Sequence, residues 1–161
     1  MAPDSGAPIR RGGAVLGRGP ASRLTLHLGV LVQPYRNNGL TTADVARFLE
    51  EKYGVMAAYY RVHGDVVRGA VAKSMEGAIE SLVMGRRVDP WGYATQLIQR
   101  EFRAFISSKQ AEQVGMPGTP TKAALRGVNH RLKHPYARRN PRRPSFRDTG
   151  LYMADFRAWI D

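Results

Sequence analysis

The sequence predicts an α+β domain: a small antiparallel sheet packed on two long helices, with an extended N-terminal arm and a long basic loop before the C-terminal element. Three observations lead there. Leu24, Leu26, Leu28, Val30 and Val32 alternate with other residues near the start, and a period of two marks a half-buried strand. Two long central stretches carry their apolar residues at helical spacing instead. The chain then closes on its densest aromatic run, Leu151-Tyr152-Met153-Ala154-Asp155-Phe156-Arg157-Ala158-Trp159-Ile160-Asp161, which a fraying end would not carry.

The elements follow in order. Residues 1–23 are rich in Gly, Pro, Ala and Arg, with Gly12-Gly13 and Gly17-Arg18-Gly19-Pro20 as breakers, and read as a flexible basic arm. Residues 24–161 form a single domain, beginning with the strand over 24–33, where His27 takes the less apolar face as an exposed or cross-strand histidine. Asn37-Asn38-Gly39 supplies a turn. Thr41 or Thr42 then caps a helix with Asp44 in its first turn; Val45, Phe48 and Leu49 form its buried face, and Gly54 stops it. On that helix Glu50 and Glu51 point about 100° apart, so they read as solvated rather than as an acid-base pair.

Residues 55–62 read as a strand or an irregular packed segment. Asp65 is placed to cap a long helix to about Met84, with Val67, Val71, Met75, Ala78, Ile79 and Leu82 as its stripe and Gly85 as its end. A further helix opens at Asp89-Pro90, with Asp as cap and Pro at the first position. Its apolar face is Trp91, Ala94, Ile98, Phe102, Phe105 and Ile106, and it runs towards Val114. After Gly115 the regular texture stops: Met116-Pro117-Gly118-Thr119-Pro120 breaks it, residues 122–127 allow a short helix, and 113–147 reads as an extended basic loop inside the domain.

Charge is the strongest compositional signal. The chain of 161 residues carries a formal net charge of +12 and has no cysteine. The body nearly cancels, whereas residues 113–147 hold nine bases and no acid: Lys122, Arg126, Arg131, Lys133, Arg138, Arg139, Arg142, Arg143 and Arg147. The arm adds Arg10, Arg11 and Arg18. A single-sign segment of this kind suits a polyanion or an acidic subunit surface, so these residues are the candidate DNA or subunit contacts. Tyr136 and Phe146 lie among them, placed to stack on bases. The opening residues lack an apolar secretory core, and no stretch approaches the roughly 18 apolar residues of a membrane span.

Chemistry-bearing motifs are sparse. There is no Gly-rich phosphate loop, no His-Glu-x-x-His and no supported Ser-His-Asp set; His27, His63, His130 and His134 are scattered. Asp148-Thr149-Gly150 matches the aspartic-protease tripeptide, but it lacks the preceding apolar strand and the barrel that should follow. The simpler reading makes Asp148 or Thr149 a turn or cap residue and Gly150 a relaxed turn, after which Leu151, Tyr152, Phe156, Trp159 and Ile160 dock the C-terminus. The residues therefore predict a non-enzyme without metal or cofactor.

Several short motifs recur in one order. Leu28-Gly29-Val30 precedes Thr41-Thr42-Ala43-Asp44-Val45-Ala46 and then Tyr53-Gly54; Ala58-Tyr59-Tyr60-Arg61 leads into the long helix. Thr121, Arg126-Gly127, Pro144-Ser145-Phe146-Arg147-Asp148-Thr149-Gly150 and an apolar last segment close the series. This order resembles the tail-completion (neck, head-to-tail connector) proteins of tailed bacteriophages and the related virion-morphogenesis proteins. Here one extra residue separates Pro144 from Asp148, and the basic insertion from His130 to Arg143 is long.

The resemblance implies a virion structural protein of the neck or proximal tail, assembled in the host cytoplasm as a homo-oligomeric ring of six or twelve copies that joins or seals head and tail without catalysis. Its partners would be portal, adaptor, tail-terminator or tail-tube proteins and the passing genomic DNA, with no membrane. The alternative is a cellular nucleic-acid-binding protein of ribosome-associated type that uses residues 122–147.

Overall fold

The computed structural model describes residues 24–35 and 39–161; the arm over 1–23, with Arg10, Arg11 and Arg18, and the Asn37-Asn38 turn lie outside them. The described elements run β1 (Leu26–Val30), α1 (Thr42–Tyr53), α2 (Val55–Val83), α3 (Gly92–Ser107), α4 (Gln110–Gln113), α5 (Lys122–Leu125), α6 (Leu151–Ala154) and β2 (Phe156–Ile160). The architecture is α+β, with a two-stranded antiparallel sheet against two long helices.

The first and last elements pair with each other. Leu28 stands opposite Ala158 and Val30 opposite Phe156, so the docked C-terminus supplies half of the sheet. Leu28, Phe156 and Ala158 point into the core. β1 is shorter than its apolar alternation, because β2 offers a ladder of five residues. Leu24, Leu31 and Val32 fall beyond it and remain 38%, 37% and 50% exposed. His27 is the cross-strand residue expected: its ring stacks on Trp159 at 5.1 Å, and Nε2 lies 2.8 Å from Asp161 Oδ1.

A capping box starts α1. Thr41 Oγ1 accepts from the Asp44 N–H at 3.2 Å, while Asp44 Oδ2 accepts from the Thr41 N–H at 3.0 Å. The Thr41 hydroxyl, which also donates to Asp44 Oδ2 at 2.7 Å, and then the Thr41 N–H hold the Asp44 carboxyl below its ordinary pKa. Gly54, left-handed at φ 61°, ends the helix and at once begins α2. Residues 55–62 are therefore helical rather than a strand, and Glu50 gives the physical reason. Its carboxylate accepts from the N–H groups of Met56 (2.7 Å) and Ala57 (3.1 Å), two of the donors that a helix start leaves unpaired. Glu50 is a cap, not a solvated acid. Asp65 lies inside the helix and pairs with Arg68 instead of capping.

α2 has 29 residues, about 43 Å at 1.5 Å per residue, and outruns the body that it packs on. Val55, Met56, Ala58, Tyr59, Val67, Ala70 and Ser74 are buried. The stripe expected to continue that core does not: Met75, Ile79 and Leu82 are 42%, 59% and 70% exposed.

Asp89 accepts from the Trp91 N–H at 3.0 Å and shapes the turn, so α3 begins at Gly92, two residues later than the Asp-Pro pair suggests. Lys109, left-handed at φ 64°, ends the run towards Val114 and separates α4. The centre of the core is aromatic. Phe102 stacks on Phe156 at 3.7 Å and meets Tyr59 edge-on at 5.3 Å, and the Tyr59 hydroxyl donates to the Ile98 carbonyl at 3.1 Å. Burial, then the nearby Glu101, pushes the Tyr59 phenol well above its ordinary pKa. Among the described residues no helix is long and apolar enough to cross a membrane.

Candidate subunit and nucleic-acid interface

The basic segment is built onto the helices rather than hung from them. Glu112, at the end of α4, has a side chain only 5% exposed. It accepts from the Ser145 N–H and hydroxyl, each at 2.8 Å, and pairs with Arg142. Burial alone would raise the Glu112 pKa; the Ser145 and Arg142 donors outweigh it, and the net shift is downward. Ser145, itself buried, passes the contact on by accepting from the Thr121 N–H at 3.0 Å, and Thr121 caps α5. Gly127 is needed where the segment crosses itself: at φ 68°, an added Cβ would stand 2.7 Å from the Pro141 carbonyl oxygen and nearer still to that of Asn140.

This folding separates the nine bases. Arg142 is held by Glu112, Arg131 Nε donates to the Thr149 carbonyl at 2.5 Å, and half-buried Arg143 donates to the Val128 and Pro144 carbonyls. Burial holds the Arg143 guanidinium below its ordinary pKa, against the opposing pull of Asp148. These three arginines brace the segment. Lys122, Arg126, Lys133, Arg138 and Arg139 are exposed and Arg147 half-exposed, with no side-chain bond or ion pair among the described residues. They are the part of the set free to meet a polyanion.

Asp148 and His130, which sequence reasoning kept apart, belong to one chain of contacts. Asp148 Oδ1 accepts from the His130 N–H at 2.9 Å, Asp148 Oδ2 lies 2.6 Å from Nδ1, and His130 Nε2 lies 2.9 Å from the Tyr136 hydroxyl. The Tyr136 residue is 71% exposed, yet its ring is held in place. Together with Arg126, Arg138 and Val128 it lines a cleft of about 480 Å³. An anchored aromatic ring that shares a cleft with two unpaired arginines suits a nucleotide, with stacking for the base and charge for the phosphate. The stacking role of Tyr136 was legible in the sequence but its His130–Asp148 anchor was not, because 18 residues separate His130 from Asp148.

The turn at Asp148-Thr149-Gly150 performs its expected task with the parts exchanged. Thr149 Oγ1 accepts the Leu151 N–H at 3.3 Å two residues on, Gly150 is left-handed at φ 85° before α6, and Asp148 grips the loop. Of the docking residues, Tyr152 and Phe156 are buried and Leu151, Trp159 and Ile160 half-buried. Beside this turn lies a second, larger groove of about 870 Å³, lined by Val45, Phe48, Leu49 and Tyr53 of α1 and by Phe146, Leu151 and Tyr152. Of the α1 face expected in the core, Leu49 does pack against it, but the face also forms a groove wall, and Phe48 is 55% exposed. Phe146 occupies this wall in the left-handed region at φ 63°, edge-on to Tyr53 at 5.2 Å. The Tyr152 hydroxyl is buried without a hydrogen-bond partner.

Comparison of the chain with protein-family models, with curated proteins and with solved structures gave no match.

Proposed function

We propose that the protein is a non-catalytic virion component of the phage head-to-tail interface, a neck or tail-completion subunit that forms a ring of six or twelve copies joining or sealing head and tail. The observation that carries this reading is the apolar surface left open on α2. Ile79, Leu82, Val83 and Met84 are 59–84% exposed, and clusters of this kind on a soluble subunit mark an interaction surface. The order of motifs from Leu28-Gly29-Val30 to Asp148-Thr149-Gly150 supports the choice of family, and the docked C-terminus fits a subunit whose last segment completes its sheet. Portal, adaptor, tail-terminator or tail-tube proteins are the neighbours this reading assigns. Immunogold labelling of purified virions tests it: label at the neck or proximal tail is expected, and particles that carry none contradict it.

A second reading is favoured by the Tyr136 cleft. Six unpaired bases and an anchored aromatic on an acid-free segment suit a cellular nucleic-acid-binding protein of ribosome-associated type. Binding of single-stranded RNA in preference to duplex DNA, lost in Tyr136→Ala, would favour it over the virion reading.

A further inference from the structure

The loop that carries Tyr136 is closed on itself before any ligand arrives. The Asn129 N–H donates to the Pro135 carbonyl at 3.1 Å and the Ala137 N–H to the His134 carbonyl at 3.3 Å. The Asn140 side-chain amide donates to the His134 and Pro135 carbonyls at 2.8 and 2.9 Å. Asp148 then grips His130 from outside the loop through both carboxylate oxygens, and the His130 ring passes the hold to the Tyr136 hydroxyl. This anchor takes the hydroxyl end of the ring and leaves the residue 71% exposed, with His130, edge-on at 5.4 Å, as its one ring contact among the described residues. An exposed aromatic side chain ordinarily loses rotamer freedom when a ligand stacks on it. Here the fold has already fixed it.

Arg126, Val128 and Arg138 complete the cleft, and no acid lines it. Asp148, the nearest acid in sequence, lies across the His130 ring from Tyr136, since Nδ1 faces the carboxylate and Nε2 faces the phenol. Free guanidiniums beside a fixed ring select a ligand that joins a flat face to an anionic group, as a nucleotide does. In a duplex each paired base is covered on both faces by its neighbours, so an unstacked base is the one that offers a face to Tyr136. Phe146, the other aromatic of the basic segment, is turned away: it lines the α1 groove, edge-on to Tyr53 at 5.2 Å. The cleft therefore takes one base. Lys133 and Arg139, exposed on the same loop, extend the positive charge beyond a single phosphate and favour a strand over a free nucleotide.

We infer that the Tyr136 cleft holds one unstacked nucleotide of a single-stranded nucleic acid, its base on the Tyr136 ring and its flanking phosphates on Arg126 and Arg138. His130 and Asp148 act as positioning residues for the ring. The inference rests on the nucleic-acid reading of the basic segment and gives that reading its site and its ligand class.

Fluorescence anisotropy of the full chain with labelled oligothymidylate, oligouridylate and a duplex of the same length tests it. Both single strands should bind more tightly than the duplex. Tyr136→Leu, at an exposed site, should weaken single-strand binding about tenfold and leave duplex binding within about twofold, with the melting curve unchanged. Arg126→Gln combined with Arg138→Gln should lower the slope of log K against log salt for the single strand by about 1.4, at ~0.7 per phosphate contact. His130→Leu should weaken single-strand binding in the parent and not in the Tyr136→Leu background, because its effect runs through the ring; equal losses in both backgrounds would overturn the positioning role. A single strand held as tightly by Tyr136→Leu as by the parent overturns the cleft and leaves the nucleic-acid reading standing. A duplex bound more tightly than the single strands, or thymidine monophosphate bound as tightly as oligothymidylate, overturns the single-strand assignment. A chain that binds none of these probes at low salt overturns both.

Discussion

Replacing Glu112 with alanine should release the basic segment from the helices. The carboxylate is almost fully buried and accepts two hydrogen bonds from Ser145, both at 2.8 Å. Hydrogen bonds to a charged group contribute about 1.5–3 kcal/mol each. The Arg142 partner is 45% exposed, so that ion pair adds no more than about 1 kcal/mol. The desolvation of Glu112 offsets part of the sum, and removing one member of a buried charged set costs about 3–5 kcal/mol in other proteins. The expected loss is therefore about 3–4 kcal/mol. Urea denaturation followed by circular dichroism measures it, and trypsin should cut at Arg138 and Arg139 at least tenfold faster in the variant. A loss below about 1 kcal/mol with unchanged cleavage would refute the account of the segment as a braced structure.

The same contact gives a pH test whose sign is fixed. The folded Glu112 pKa lies below its ordinary 4.5, so its stabilisation is present above that value and disappears as pH falls through the folded pKa. The stability gap between the parent and Glu112→Gln should narrow as pH is lowered from 6 towards 3; a constant gap contradicts it. Gly127→Ala should destabilise by about 2 kcal/mol or more, since the left-handed backbone and the Asn140 and Pro141 carbonyls both resist a Cβ; chemical denaturation reads this, and a neutral result would place the crossing elsewhere. Neutralising Arg138 and Arg139 to Gln should lower the slope of log K against log salt for DNA by about 1.8 at ~0.9 per phosphate contact, without changing the melting temperature. Tyr152→Phe removes an unpaired buried hydroxyl, so the folded subunit should be unchanged or more stable by about 1 kcal/mol in chemical denaturation; a loss of more than about 1 kcal/mol would show that the hydroxyl has a partner.

The sequence was most legible where local chemistry and burial agree. The Thr41–Asp44 capping box, the stop at Gly54, the core face of α3 and the docking of Phe156 all follow from spacing and cap residues. It was least legible where a distant partner decides. Residues 55–62 look strand-like in isolation and become helix because Glu50 reaches across Gly54 to the new helix start. The stripe at Met75, Ile79 and Leu82 has the period of a core face, yet α2 extends past the body, and periodicity alone does not tell core from subunit contact. Within the candidate interface, composition identified the nine bases but not their division. Whether an arginine braces a loop or faces solvent depends on Glu112, Val128 and Thr149, which lie up to 30 residues away.

The Asp148-Thr149-Gly150 turn shows the same division at small scale. Turn chemistry explains Thr149 and Gly150, and the long-range contact to His130 explains Asp148. Deleting Leu151 to Asp161 removes β2, Phe156 and Tyr152 together, so the truncated chain should not fold.

The measurement that bears most directly on the account is the solution mass of the full chain by multi-angle light scattering, alone and with portal or tail components. The account predicts one closed species at six or twelve times the 17.9 kDa chain, reduced to the single chain by Ile79→Asp. A single chain of 17.9 kDa under every one of those conditions would contradict it.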